Sequence, residues 1–162
     1  MPDHSEEVVA QWKAQRPDLD PSPMATFTRL WRVARAMDER LQTVFTGHGL
    51  EAGWFDVLAT LRRSGAPFRL SAGTLARGLV MSTGGMTKRL DKLEAAGLVE
   101  RLPDPADRRG VLVVLTERGL ATVDQAVADH LDNERAMLSS LSDREVKTLT
   151  ATLAKLLAAW EA

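Results

Sequence analysis

The chain has 162 residues, 44% of them hydrophobic, and a formal net charge of −1, which predicts one folded domain with extensions. No apolar run nears the roughly 20 residues that cross a bilayer, and the acidic opening MPDHSEEVVAQ has no signal-peptide pattern. Cysteine is absent and His4, His48 and His130 are scattered, so the expectation is a cytoplasmic protein, away from membranes and without metal or cofactor.

In chain order, residues 8–15 predict a short helix carrying Trp12, ended by the segment that holds Pro17, Pro21 and Pro23. A long amphipathic helix is expected over 24–46, with Phe27, Leu30, Trp31, Ala34, Met37, Leu41 and Val44 at helical spacing. Gly47 and Gly49 close it. The next helix is expected over 51–64, with Phe55, Leu58 and Leu61 on one face. Gly65, Ala66 and Pro67 break it, and a minimal strand is expected at 68–70.

Ser71 is a candidate N-cap for a helix over 72–78. Ser82 or Thr83 caps the one that follows, whose Met86, Leu90 and Leu93 form an inward stripe and which Gly97 ends. Two alternating apolar runs, LVERL and VLVVLT, predict a hairpin joined by a loop over 103–110. Thr116 starts another long helix, carrying Leu120, Val123, Val127, Leu131, Leu138 and Leu141, with Glu134 as its polar interruption. Ser142 and Glu145 have capping-box spacing ahead of a last helix with Val146, Leu149, Leu153, Leu156 and Trp160.

Helix, turn, helix and hairpin in that order predict a mainly α (α+β) fold, a winged helix-turn-helix with long N- and C-terminal dimerisation helices. The expected organisation is an extra helix and linker over 1–20 and a dimerisation helix over 21–50. The DNA-binding region covers 51–116, and 117–162 holds the C-terminal dimerisation helices. The terminal helices exceed what a winged helix needs; their stripes either wrap the module within one chain or pair two chains, and a homodimer reading two half-sites of double-stranded DNA is favoured.

The small net charge hides an uneven distribution. Arg62, Arg63, Arg69, Arg77, Lys88, Arg89 and Lys92 face a single acid, Asp91, between 62 and 92. A basic face of this kind steers a protein to phosphate whatever its net charge. Ordinary solvated helix charge is the alternative. Candidate DNA contacts are Ser82, Thr83, Thr87, Lys88 and Lys92 on the second helix of the motif, with Asp107, Arg108 and Arg109 in the wing. Short polar side chains and Gly84 allow close approach to base edges, and a wing arginine suits a narrow minor groove. Asp107 is expected to pair with an arginine and shape the loop. Otherwise the wing is only a charged hairpin. No nucleophile elbow, phosphate loop or dinucleotide fingerprint points to an enzyme.

The stretch LEAAGLVERLPDPADRRGVLVVLTERG resembles the MarR family of winged-helix regulators. That resemblance implies a homodimeric repressor on a pseudo-palindromic operator, released by a small ligand. The segments QWKAQRPDLDPSPM, WFDVLATLRRSGAPFRLS and STGGMTKRL are similar to the urate-responsive, PecS-type branch, which more often has SSGG where this chain has STGG. The resemblance implies a ligand set of Trp12, Asp56, Arg63 and Arg89. Asp56 and Arg63 stand about 10 Å apart along one helix. Arg63 suits a flat anion bidentately and Trp12 suits its face. An Asp56–Arg89 pair is expected to tether the reading helix until the anion disturbs it. Each residue also has a structural reading: Trp12 as a helix anchor, Asp56 and Arg63 as surface charges, Arg89 as a phosphate contact. A sensor of another aromatic anion, such as a phenolic acid, and a winged-helix protein-interaction module are the competing functions.

Overall fold

Proline and glycine set the element boundaries in a computed structural model that describes residues 4–161, apart from the side chains of Arg108 and Arg109. The chain divides into two units at Gln42. In the first, α1 (His4–Gln15) starts four residues before the predicted point. Glu6 and Glu7 fall in its first turn, where carboxylates offset the helix dipole. Arg16 follows α1 and grips Asp18 through two hydrogen bonds of 2.8 and 2.6 Å, which holds the Asp18 carboxyl below its ordinary range. Asp20 accepts the Ser22 N–H at 3.0 Å and so starts α2 (Ser22–Gly47). Arg29 of α2 reaches Glu6 of α1 at 3.3 Å.

In the second unit, Gly49 has φ 70° and turns the chain out of α2. The next helix, α3 (Trp54–Arg63), begins three residues later than its apolar pattern predicts. Gly53 is the cause, since its φ of 74° is left-handed and interrupts any helix running through it. β1 (Arg69–Ser71) is displaced by one residue from the expected strand, because Phe68 at φ 56° is not extended. Then come α4 (Ala72–Gly78), α5 (Thr83–Ala95), β2 (Val99–Asp104), β3 (Asp107–Leu115), α6 (Glu117–Leu138) and α7 (Asp143–Trp160).

The three strands form one antiparallel sheet in the order β1-β3-β2. The wing departs from the expected eight-residue loop, because its strands run on until only Pro105 and Ala106 are left in the turn. Asp104 accepts the Ala106 N–H at 2.9 Å and closes it. The register jumps from Pro103↔Val111 to Asp104↔Asp107, so residues 108–110 form a bulge on β3.

Four helices of this unit, α4 to α7, are capped locally by a hydroxyl, whereas α3 starts at Gly53 without a side-chain cap. Ser71, Ser82, Thr116 and Ser142 each accept an N–H from the first turn of the helix they precede. Ser142 and Glu145 complete the capping box. The apolar stripes converge on a core in which Val57, Leu58, Leu61, Leu75, Leu93, Val113 and Val123 are completely buried. Truncating one such leucine to alanine costs about 2–5 kcal/mol. α6 lies flush on the junction of α5 and β2: a Cβ at Gly119 would sit 1.9 Å from the Leu98 carbonyl oxygen. Thr116 secures the same junction, donating to the Gly97 carbonyl at 2.8 Å and accepting from Gly119 at 2.9 Å. α6 stops at Leu138, short of Leu141, where the Ser139 and Leu141 N–H groups turn back to Ala136 and Leu138. α7 buries none of its side chains.

Candidate nucleic-acid interface and ligand switch

α4 and α5 form the helix-turn-helix, and α5 is built with two faces. Met86, Leu90 and Leu93 are buried, which turns Thr83, Gly84, Thr87 and Lys88 to solvent. Lys88 has no side-chain partner among the described residues. Thr87 donates its hydroxyl proton to the Thr83 carbonyl at 3.0 Å. Ser82 accepts the Gly85 N–H at 3.2 Å. Its hydroxyl is therefore engaged as a cap, with its own proton left for an acceptor outside.

The predicted basic face is thinner than the sequence suggests. Lys92, expected on DNA, binds Glu51 at 2.7 Å and ties α5 to the turn before α3. Arg62 binds Asp124 of α6 at 2.6 Å and lies 4.9 Å over the Phe68 ring, a contact that favours a cation on an aromatic face. Arg77 donates to Thr74 within α4 at 3.3 Å.

Sequence reasoning missed Arg101. From β2 its guanidinium reaches Asp91 at 2.7 Å and Glu94 at 2.6 Å, while its backbone N–H donates to Glu94 at 3.1 Å. The hydrogen bonds from Arg101 hold the Glu94 carboxyl below its ordinary range. This clamp sets the wing against the reading helix. Two acids three residues apart on α5, with an arginine in the following strand, were the available signal. Of the wing candidates, Asp107 opens β3 beside the turn and is exposed. The Arg108 and Arg109 side chains lie outside the described atoms.

The ligand set divides between the units. Trp12 sits exposed on α1 in the first. Asp56 and Arg63 lie on the exposed side of α3, and Arg63 donates to Thr60 at 3.0 Å. The expected Asp56–Arg89 pair is not formed. Arg89 is half-buried and donates to the Met81 sulfur at 3.0 Å. Its guanidinium lies on Gly53, so close that a Cβ there would be 2.4 Å from Arg89 Cζ. The bare glycine at the start of α3 makes a seat for a planar cation, and that contact outcompetes Asp56.

Comparison with known proteins bears on most of the chain. A model described as MarR family matches residues 48–110. The HTH-type transcriptional regulator PecS of Dickeya dadantii is 42% identical over 149 residues, covering 92% of this chain and 90% of the relative. The multiple antibiotic resistance protein MarR of Escherichia coli is 34% identical over 128 residues, covering 77% of this chain and 85% of that one. A crystal structure of a serine-for-cysteine mutant of Escherichia coli MarR, complexed with operator DNA, matches with a TM-score of 0.75 and 31% identity. It covers 86% of this chain, which spans 98% of that one.

Proposed function

Because the chain belongs to the MarR family of DNA-binding transcriptional regulators, we propose that it is a repressor released from its operator by urate or a related purine. The observation that carries the DNA half is the open polar face of α5, where Thr83, Thr87 and Lys88 surround Gly84. Threonines suit base edges and thymine methyl groups, and Lys88 suits guanine or phosphate. Ser82 and the wing residues Asp107, Arg108 and Arg109 are the further residues assigned to DNA. Lys92, held by Glu51, contributes by positioning α5.

The regulator acts as a homodimer on a pseudo-palindromic site, its reading heads about 34–36 Å apart. Support comes from apolar side chains left on the surface: Leu131 and Leu138 on α6, and Leu149, Leu157 and Trp160 on α7, each at least 40% exposed. Residues 21–50 and 117–162 are the segments assigned to this interface, and 51–116 to DNA.

Asp56, Arg63, Arg89 and Trp12 serve the ligand. Urate is a flat anion near neutral pH. Arg63 and Arg89 supply planar donors that fit such an anion bidentately, and Trp12, exposed on α1, is an aromatic side chain of the kind that suits a flat ligand. Arg89 rests on Gly53 and Met81 and leaves Asp56 unpaired, so the switch differs from the repulsion expected from sequence. The anion draws Arg89 off its seat, and the reading helix that carries Arg89 moves with it. That is a differential contact between two states, which any ligand-driven shift requires.

The test is fluorescence anisotropy of the purified protein on the intergenic DNA upstream of its own gene, with and without urate. Binding that urate reverses supports both halves of the reading. Binding that a phenolic acid reverses and urate does not would assign the site to another aromatic anion. A protein that ignores that DNA and every duplex from a random-sequence library overturns the DNA half.

A further inference from the structure

Three helices around the reading head end in the same turn. At the end of α2, the Gly49 N–H donates to Thr46 and the Leu50 N–H to Phe45, both at 2.9 Å. At the end of α5, Gly97 donates to Glu94 at 2.8 Å and Leu98 to Leu93 at 3.0 Å. At the end of α4, Val80 donates to Arg77 at 3.2 Å and Met81 to Ala76 at 2.9 Å. This paired bonding puts the first donor residue in the left-handed region, where glycine is the usual occupant. Gly49 and Gly97 comply, at φ 70° and 68°. The α4 turn places Val80 there, at φ 51°.

A β-branched side chain in that conformation is an outlier. Among the described residues nothing offsets it: Val80 is 94% exposed, and the next most exposed large hydrophobic residue there, Val33, is 67% exposed. The isopropyl group adds strain to the fold and makes almost no contact with it. Any benefit of that group therefore lies outside the chain. Its position says where. Val80 precedes Ser82, the cap of α5, by two residues, and the N-terminal end of a recognition helix is the end that faces base edges.

We propose that Val80 is a sequence-reading residue that packs against a thymine C5-methyl group at the lip of the major groove. This rests on the DNA-binding reading above. An isopropyl group has no donor for phosphate, and phosphate contacts are made by charged and polar groups. The thymine methyl is the apolar feature that the major groove presents. The contact adds a preference for A·T at one position of each half-site, outside the bases met by Thr83, Thr87 and Lys88.

The experiment is selection from a random-sequence duplex library with the full-length wild type and with Val80→Gly, followed by anisotropy titrations on the wild-type consensus. At each strongly selected thymine, a second duplex carries deoxyuridine, which removes only the methyl group. At one position of the consensus, the wild type is expected to lose about fourfold in affinity for each half-site that carries deoxyuridine, the worth of one buried methyl. Val80→Gly is expected to bind thymine and uracil duplexes alike there, to lose the base preference, and to melt no lower than wild type. Val80→Asn, which tolerates the same backbone, is expected to lose the discrimination too. The proposal is overturned if the variants keep the wild-type thymine-to-uracil ratio, or if the wild type shows no such dependence while still selecting a sequence. A wild type that selects no sequence overturns the DNA-binding reading and this proposal together.

Discussion

Adding one methyl group at Gly84 is expected to make the protein more stable and worse at binding DNA. The two effects separate because they depend on different surroundings. A Cβ at Gly84 meets nothing within 4 Å, and the residue lies in the first turn of α5 with an ordinary helical backbone. Alanine is favoured over glycine in a helix by at most about 1 kcal/mol, which in a chain of this size raises the melting temperature by about 2–4 °C. The same methyl group stands on the face occupied by Thr83, Thr87 and Lys88. If bases approach the helix backbone through this gap, the methyl displaces them, and one lost bidentate contact weakens binding by roughly tenfold, about 1.4 kcal/mol. Gly119→Ala is the control for the method, because its Cβ would collide with the Leu98 carbonyl and must destabilise the fold. Thermal melting reads the first effect and anisotropy on operator DNA the second. A Gly84→Ala protein that binds DNA as well as wild type would refute the idea that α5 keeps glycine there for the groove.

Three further outcomes follow from the ion pairs and the ligand set. Lys88→Ala is expected to lower the slope of log affinity against log salt by about 0.9 per chain, whereas Lys92→Ala, its ammonium already spent on Glu51, leaves the slope nearly unchanged. The reverse ranking would exchange their roles. Arg101 depresses the Glu94 carboxyl, so the clamp stabilises the fold fully above the ordinary glutamate value of about 4.3 and loses that contribution as pH falls through the depressed one. Glu94→Gln should accordingly melt below wild type at neutral pH, with the gap closing in acid. A gap that is independent of pH would remove charge from the explanation. Trp12→Phe and Arg63→Ala are expected to raise the urate concentration needed for half-release severalfold while DNA affinity stays within twofold. Wild-type release by both would show the ligand set to be wrong.

The features legible in the sequence are those decided by neighbours along the chain. Ser71 and Ser142 cap as predicted, Ser82 rather than Thr83 caps α5, and Thr116, expected only to start its helix, caps it; each bond closes within three residues. The stripe of Met86, Leu90 and Leu93 identifies the buried face of α5, and with it the exposed one. Long charged side chains were harder to read. Lys92, Arg62 and Arg101 all belong to basic or alternating patterns, and each is claimed by an acid on another element. Such pairings depend on how helices and strands pack, which spacing within one element does not encode. Arg89 is the sharpest case. An acid on α3 was the obvious partner, yet the guanidinium settled on a glycine and a thioether, surfaces that no charge pattern reveals. The wing was misjudged for a related reason: two prolines read as a loop, but one occupies a strand position beside a bulge and the other a two-residue turn.

The flush contact at Gly119 makes α6 a lever with its fulcrum at the base of the wing. No side chain cushions the helix where it meets Leu98, and Thr116 bolts both sides of the joint. The 22 residues of α6 extend about 33 Å from that point. A tilt of roughly 5° at the fulcrum therefore carries the far end through about 3 Å, close to the rise of one base pair. In the proposed dimer, the far ends are held by the partner, so the same tilt is spent at the other end, changing the reach between two reading heads. In that proposed dimer, glycine at 119 would set the gear ratio between events at the dimer face and alignment on the operator, and any larger residue there would introduce play.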